Sequence, residues 1–179
     1  MRAVFLDRDG VINESIVRNG KPYPPASLDE VKLVTNAAES LKRLKEHGFF
    51  LVVVTNQPDV RRGTTEKQTV DHIHAVLAAQ LPIDDFFTCF HDDPDQCRCR
   101  KPLPGLLFEA AEKHKIDVEK SFLIGDRWRD IEAGVAAGCQ TVLIDYGYDE
   151  RKPERPPNAV VFSLAEAVNW IVKQKDKFP

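Results

Sequence analysis

The sequence AVFLDRDG, residues 3–10, decides how the rest of the chain is interpreted. Its first four residues are apolar and include Val and Phe, which favour strands. Two aspartates and a glycine follow directly. The stretch therefore predicts a buried strand over residues 3–6 that ends at Asp7 and can present two carboxylates, those of Asp7 and Asp9, beside a bound substrate. The alternative is an ordinary strand-to-turn junction, in which Asp and Gly supply turn chemistry.

Short apolar runs alternate with amphipathic stretches along the rest of the chain. Asn36 is expected to cap the first helix, which ends at Gly48. Further strands are predicted at residues 50–54, 86–90, 122–124, 141–144 and 159–162, and further helices at residues 66–81, after Pro104, at 130–137 and near the C-terminus. Strands separated by single helices imply βαβ units. We therefore expect an α/β fold, a Rossmann-like three-layer sandwich around a mostly parallel sheet, with residues 1–179 forming one domain.

Composition excludes several other classes of protein. The chain has 179 residues, a formal net charge of -3, 42% hydrophobic and 30% charged residues, which suit one folded domain and exclude wholesale disorder. No apolar run approaches the ~18 residues of a membrane span. The charge lacks the basic excess of a nucleic-acid-binding protein. The apolar run near the N-terminus is too short for a signal peptide, so we expect a cytoplasmic protein.

Polar residues follow three of the predicted strands. They are Asp7, Thr55 with Asn56, and Asp126. In open α/β sheets ligands bind beyond the carboxyl ends of the strands, so these side chains are expected to meet in one crevice. Each is ambiguous alone, because Asp, Thr and Asn are also common cap and turn residues. Their coincidence, with Lys101 just before a helix, favours a functional site.

The set also carries a resemblance that covers about four-fifths of the chain. It resembles the four ordered motifs of the haloacid dehalogenase (HAD) superfamily: DRDG at residues 7–10, VVVTN at 52–56, Lys101, and GDRWRD at 125–130. The resemblance implies a phosphoryl-transfer enzyme in which Asp7 is the nucleophile and becomes an aspartyl phosphate. Asp9 is then the general acid and base. A phosphate-storing receiver domain would have no need of Asp9.

The resemblance also implies how the phosphate and a metal ion are held. Thr55, Asn56 and Lys101 would contact the phosphate oxygens. Asp7, the backbone carbonyl of Asp9 and Asp126 would bind Mg²⁺, a hard cation that takes oxygen ligands. The remaining acidic residue of the last motif, Asp130, would orient Lys101 or a metal-bound water.

Three of the four cysteines lie close together with a histidine. Cys89, His91, Cys97 and Cys99 form the pattern C-x-H-x5-C-x-C, a reasonable tetrahedral set for structural Zn²⁺. The alternative is a surface loop of reduced cysteines. The pattern resembles the zinc loop of heptose-1,7-bisphosphate phosphatases and the related histidinol-phosphate phosphatases, which implies that zinc fixes the loop that presents Arg100.

The spacing of the motifs leaves no room for a cap domain, because residues 10–54 and 56–100 are each filled by about one helix, strand pieces and loops. Specificity is therefore expected to come from loops around an open cleft. Arg62, Arg100 and Arg127 are the candidate cations for a second substrate phosphate through bidentate contacts. Arg98 and Arg129 are expected to be solvated surface charges.

The resemblance favours a small phosphorylated metabolite as substrate, most specifically removal of the 7-phosphate of D-glycero-D-manno-heptose 1,7-bisphosphate by a monomeric enzyme. The Arg62-Gly63 pair matches the heptose enzymes, whereas Pro58 and Asp59 depart from their pattern. Histidinol phosphate or another small sugar phosphate is the alternative substrate. A non-catalytic, zinc-stapled interaction module and a phosphate receiver are the alternatives from other classes.

Overall fold

The computed structural model describes residues 1–174, so the last five residues of the predicted domain lie outside the described part of the chain. In chain order the elements are β1 (Ala3–Leu6), β2 (Ile16–Arg18), β3 (Lys21–Tyr23), α1 (Ala37–Glu46), β4 (Phe50–Asn56), α2 (Asp59–Arg62), α3 (Lys67–Gln80), β5 (Asp85–Cys89), α4 (Gly105–His114), β6 (Phe122–Gly125), α5 (Trp128–Ala137), β7 (Gln140–Ile144), β8 (Ala159–Val161) and α6 (Leu164–Gln174). Within residues 1–174, no helix has both the length and the apolar content that crossing a bilayer requires.

The predicted α/β architecture is confirmed. Six strands form one sheet in the order β5-β4-β1-β6-β7-β8, and every pairing within it is parallel. The strand predicted from residues 3–6 lies near the middle, and all four of its side chains are fully buried. Its neighbours β4 and β6 are the strands that carry the other two predicted polar ends. The carboxyl ends of these three strands therefore lie side by side.

Alternation along β1 divides the core into two layers. Val4 and Leu6 pack in the layer covered by α1, α3 and α6, whereas Ala3 and Phe5 pack in the layer covered by α4 and α5. Parallel strands that are buried on both faces have continuous apolar runs in their sequence. The sequence pattern therefore identifies them. Helices on both faces of one sheet give the three-layer sandwich.

Some local predictions differ from the structure. Helix α1 starts directly after Asn36 as expected, but Asn36 is not a side-chain cap: its φ is 59° and its side chain makes no capping hydrogen bond. Asn tolerates this left-handed conformation better than most residues, so its role is to turn the chain. Helix α5 begins at Trp128, two residues before the predicted start, and the single turn of α2 was not predicted.

The sequence prediction also missed a β-hairpin, formed by β2 and β3. Asn19 and Gly20 form its turn with φ values of 51° and 74°. Two positive φ values are what the favoured two-residue hairpin turn requires, and Asn-Gly is its strongest sequence signal. The backbone N–H of Asp149 donates to the Gly20 carbonyl at 2.8 Å, which ties the turn to the segment after β7.

Candidate active site

Two of the polar strand ends, at Asp7 and Asn56, line one cavity of about 240 Å³, and the third, at Asp126, is buried beside the lining residues Asp7 and Asp130. Asp7 follows β1, and its backbone N–H donates to the Ile124 carbonyl of the neighbouring β6 at 3.0 Å. Thr55 and Asn56 end β4, and Asp126 follows β6. The other charged residues that line the cavity are Asp9, Lys21, Asp59, Arg62, Asp93, Arg100, Lys101, Arg127, Arg129, Asp130 and Glu150.

A buried ammonium group lies at the centre of the floor. The Lys101 side chain is 2% exposed, and its Nζ donates to Asp7 Oδ1 at 2.8 Å, to Asp130 Oδ1 at 2.5 Å and to the Val54 carbonyl at 2.8 Å. Burial by itself would lower the pKa of Lys101, but the charges of Asp130 and Asp7 outweigh it and raise the pKa above its ordinary value. Lys101 is therefore a fixed positive charge beside Asp7.

The two residues that end β4 contact the site in different ways. The side-chain amide of Asn56 donates to the Lys101 carbonyl at 3.0 Å and accepts from the Lys101 N–H at 3.1 Å, so it fixes the backbone of Lys101. The buried Thr55 hydroxyl accepts from Gln57 Nε2 at 2.9 Å. Because Thr55 is the acceptor in that bond, its own hydrogen can be donated to another group.

Three carboxylates surround a point where a cation fits. Oxygens of Asp7, Asp126 and Asp130 lie within 4.8 Å of one another. Both carboxylate oxygens of Asp126 are buried and have no hydrogen-bond partner among the described residues. Burial and the charge of Asp130 raise the pKa of Asp7 to about 6, and burial together with the charge of Asp7 raises the pKa of Asp126 well above its ordinary value. Unpaired buried carboxylates of this kind suit a divalent cation.

Two glycines allow the backbone to approach these carboxylates. Gly10 has a φ of 85°, and a Cβ atom there would lie 1.9 Å from Asp126 Oδ2. A Cβ at Gly125 would lie 2.1 Å from Asp130 Cβ. The glycine of the DRDG motif is therefore required both by the turn and by the position of Asp126.

The Asp9 carboxylate is held at the edge of the cavity by four hydrogen bonds. Arg8 donates from Nε to Oδ1 and from Nη2 to Oδ2, both at 3.0 Å. Asn13 donates to Oδ1 and Gln57 to Oδ2, both at 2.9 Å. Arg8 itself is fully buried, which is rare for arginine and accounts for the bidentate pairing.

His74 completes this network, and sequence reasoning missed both it and Arg8. Arg8 Nη1 lies 3.2 Å from His74 Nε2. Burial and the charge of Arg8 lower the pKa of His74 to about 4, so the neutral ring accepts from Arg8 near pH 7. Two signals were present: residue 8 continues the face of Val4 and Leu6, and residue 74 lies on the same helical face as Val70 and Leu77.

The cysteines and histidine of the predicted zinc loop lie together. Cys89 Sγ is 3.7 Å from Cys97 Sγ and 3.1 Å from Cys99 Sγ, and Cys97 Sγ is 3.5 Å from Cys99 Sγ. His91 Nδ1 is 3.6 Å from Cys89 Sγ and 3.3 Å from Cys99 Sγ. Ligands of a tetrahedral zinc ion lie ~3.8 Å apart when Zn–S is ~2.3 Å, so the set is compatible with zinc. Burial raises the pKa values of Cys89 and Cys99, and a bound metal ion would favour their thiolate forms.

The loop after β5 supplies partners for the arginines of the site. The ion-pair distances are 2.6 Å for Arg62–Asp92, 3.0 Å for Arg61–Asp95, 2.7 Å for Arg100–Asp93 and 3.4 Å for Arg129–Asp93, and Arg127 pairs with Glu150. The three predicted phosphate-binding arginines thus line the cavity, but each has a carboxylate partner. The expectation that Arg129 is a solvated surface charge is wrong, since its side chain is 24% exposed and lines the cavity. Arg98 is exposed, as expected.

Known proteins are similar to this chain in sequence and in fold. Residues 98–167 match the HAD-hydrolase-like family model. The D-glycero-beta-D-manno-heptose-1,7-bisphosphate 7-phosphatase of Pseudomonas putida KT2440 is 32% identical over 175 residues, which cover 94% of this chain and 97% of that protein. The enzyme of the same name from Escherichia coli K12 is 34% identical over 187 residues, which cover 97% and 95%. The chain belongs to this family of HAD phosphatases.

A solved structure agrees with that assignment. The D,D-heptose 1,7-bisphosphate phosphatase of B. bronchiseptica, in a crystal structure with magnesium and phosphate, superposes with a TM-score of 0.78 at 28% identity and covers 97% of this chain and 99% of its own. The resemblance drawn from the motifs is therefore confirmed. The protein is an enzyme, a phosphoric monoester hydrolase.

Gly10→Ala tests the close approach at the floor of the cavity. We expect phosphatase activity on a chromogenic phosphate ester to fall roughly 100-fold, because displacing a reacting or binding group by ~1 Å costs about that much. Gly48→Ala is the control, since Gly48 has a φ of 80° and nothing within 4 Å of the added Cβ. Both variants should lose ~1–2 kcal/mol of unfolding free energy through left-handed strain, measured by urea titration. Equal activity in the two variants would contradict the role of Gly10.

Proposed function

We propose that this phosphatase removes the 7-phosphate of D-glycero-D-manno-heptose 1,7-bisphosphate, working as a single domain without a cap. The observation that carries the proposal is the position of Asp7, which accepts from the Lys101 ammonium and lies beside the buried carboxylate of Asp126, in a cavity lined by several arginines and lysines as well as carboxylates. The similar enzymes of Pseudomonas putida and Escherichia coli are named for this sugar bisphosphate, which supports it as the substrate. The open cavity suits a substrate that carries charge at both ends.

Asp7 is the nucleophile in this proposal. Its Oδ1 accepts from Lys101, which leaves Oδ2 to attack phosphorus while the bond from phosphorus to the sugar oxygen breaks. Lys101 and the Thr55 hydroxyl stabilise the charge on the transferring phosphoryl group. The product of this step is an aspartyl phosphate on Asp7. Asn56 contributes by holding the Lys101 backbone in place.

Asp9 moves the protons of both half-reactions. It gives a proton to the departing sugar oxygen, and it then takes one from the water that hydrolyses the aspartyl phosphate. To do this it must leave the hydrogen bonds that now engage both of its oxygens. Arg8, Asn13 and Gln57 therefore define the resting position of Asp9, and Asp130 keeps Lys101 oriented throughout.

Two metal ions complete the proposal. Asp7, Asp126 and the backbone carbonyl of Asp9 would hold Mg²⁺, which supplies charge neutralisation for the carboxylates and the phosphate. Cys89, His91, Cys97 and Cys99 would hold Zn²⁺ as a structural ion, and this fits a loop whose Arg100 N–H lies 3.4 Å from Cys97 Sγ. Zinc would thus fix the loop that carries Arg100 and Lys101.

The substrate is tested with purified protein and Mg²⁺ against heptose 1,7-bisphosphate, other sugar phosphates and histidinol phosphate. We expect the highest kcat/KM for the heptose bisphosphate, with phosphate release lost at least ~10³-fold in Asp7→Asn and at least ~10²-fold in Asp9→Asn. Acid quench should trap an aspartyl phosphate in the wild type but not in Asp7→Asn. A strong preference for histidinol phosphate would refute the proposed substrate, and full activity of Asp7→Asn would refute the mechanism.

Magnesium binding should depend on pH, because protons compete for the same carboxylates. The raised pKa of Asp7, about 6, means that this carboxylate is mostly protonated at pH 5 and mostly ionised at pH 7. We expect the Kd for Mg²⁺, measured by calorimetry on metal-free protein, to be ~10-fold or more weaker at pH 5 than at pH 7. Asp7→Asn is the control and should bind weakly with a smaller pH dependence. A Kd that does not change with pH would contradict the site.

Selective zinc chelation with Mg²⁺ kept in excess tests the cysteine cluster. We expect a loss of about one zinc per chain, a fall in Tm of ~5 °C or more and a rise in KM, because the loop that carries Arg100 loosens. Cys97→Ser should reproduce these effects, whereas Cys139→Ser, a buried thiol outside the cluster, should retain zinc. Unchanged melting and turnover after zinc removal would show that the ion, if bound, has no structural role.

A further inference from the structure

The hairpin of β2 and β3 contributes one wall of the catalytic cavity. Lys21 and Tyr23, with the prolines at 22 and 24, line the same cavity as Asp7 and Lys101. The hairpin is anchored at its turn by the hydrogen bond from Asp149 N–H to the Gly20 carbonyl. A Cβ atom at Gly20 would lie 3.0 Å from Asp149 Cβ, so the two segments are in close contact. Lys21 is thus presented from a tethered strand.

The cations that line the cavity differ in whether they form an ion pair with a carboxylate. Five of them have carboxylate partners within 4 Å, in the pairs Arg62–Asp92, Arg100–Asp93, Lys101–Asp7, Arg127–Glu150 and Arg129–Asp93. Among residues 1–174, Lys21 is the one cation of the cavity lining that forms no ion pair. Its side chain is exposed, and the adjoining residue Gly20 brings no charge of its own.

A paired cation and a free one respond differently to an incoming anion. Each paired arginine shares its donors with a carboxylate, and that carboxylate opposes a second negative charge. The ammonium of Lys21 forms no ion pair with any described residue, so its donors remain available to an anion, although Asp149 lies beside the neighbouring Gly20. An incoming phosphate therefore does not have to displace a carboxylate from Lys21, as it would from the paired arginines.

We propose that Lys21 binds the second, non-reacting phosphate of a sugar bisphosphate and makes the enzyme select bisphosphates over monophosphates. This inference rests on the proposed function, in which one phosphate lies over Asp7 and the other must be held elsewhere in the cavity. It assigns selectivity to the hairpin rather than to Arg62, Arg100 and Arg127, whose charges are already compensated. Lys21 contacts the substrate but takes no part in the chemical step.

The test is steady-state kinetics of Lys21→Met on heptose 1,7-bisphosphate and on heptose 7-phosphate, which lacks the second phosphate. Met retains most of the apolar side-chain length, so the hairpin is preserved. We expect KM for the bisphosphate to rise ~10-fold with kcat unchanged, and both constants for the monophosphate to stay as in the wild type. Lys42→Met, which removes an exposed lysine on α1 outside the cavity, should behave as the wild type. Lys21→Glu should raise KM for the bisphosphate further still.

A binding measurement separates failure of this inference from failure of the proposed function. Fructose 1,6-bisphosphate and fructose 6-phosphate are titrated into Asp7→Asn protein with and without Lys21→Met. We expect the added change to weaken binding of the bisphosphate ~10-fold and to leave that of the monophosphate unchanged. If the wild type fails to hydrolyse the heptose bisphosphate while this discrimination persists, the proposed substrate is wrong and Lys21 retains its role. If Lys21→Met keeps the full preference for bisphosphates in kinetics and binding, the role of Lys21 is overturned.

Discussion

The buried ammonium of Lys101 is the interaction on which the site depends. Its three N–H donors go to Asp7 after β1, the Val54 carbonyl in β4 and Asp130 in α5, so one side chain joins three elements of the fold. A buried charge is tolerated only when its hydrogen bonds are satisfied. Replacing Lys101 with an apolar residue would leave Asp7 and Asp130 as uncompensated carboxylates at the centre of the protein. The same contact therefore serves both folding and charge balance at the phosphate.

The sequence predicted the sheet and the meeting of its polar ends because both depend on local patterns. Buried parallel strands appear as apolar runs, and the residue after each run necessarily lies at the ligand-binding edge of the sheet. The observed order places β4, β1 and β6 next to one another, so Asp7, Thr55 and Asp126 lie at adjacent strand ends. The cysteine pattern was equally local, since its four residues lie within eleven positions of the chain.

Contacts between distant segments could not be predicted in the same way. Besides the local Asp59, Arg62 pairs with Asp92, 30 residues away, because the loop after β5 lies against α2. The amide of Asn56 was expected at the phosphate, yet it holds the Lys101 backbone 45 residues away. Arg8 is fully buried, although it stands between two aspartates in the sequence. Each of these contacts depends on how segments that are distant in the sequence pack against each other. The composition of the chain carries no information about that packing.

Charge balance explains how a slightly acidic protein can bind a phosphate ester. The cavity is lined by six carboxylate side chains and six cationic ones, and Asp126 lies buried just beneath it. The lining thus provides no net attraction for a dianion. A divalent cation among Asp7, Asp126 and Asp130 would shift this balance at the floor, where the reacting phosphate must lie. At the rim, only an unpaired cation adds positive potential. With that cation bound, positive potential would be concentrated at two points, the floor and Lys21, and a substrate with phosphates at both ends would contact both.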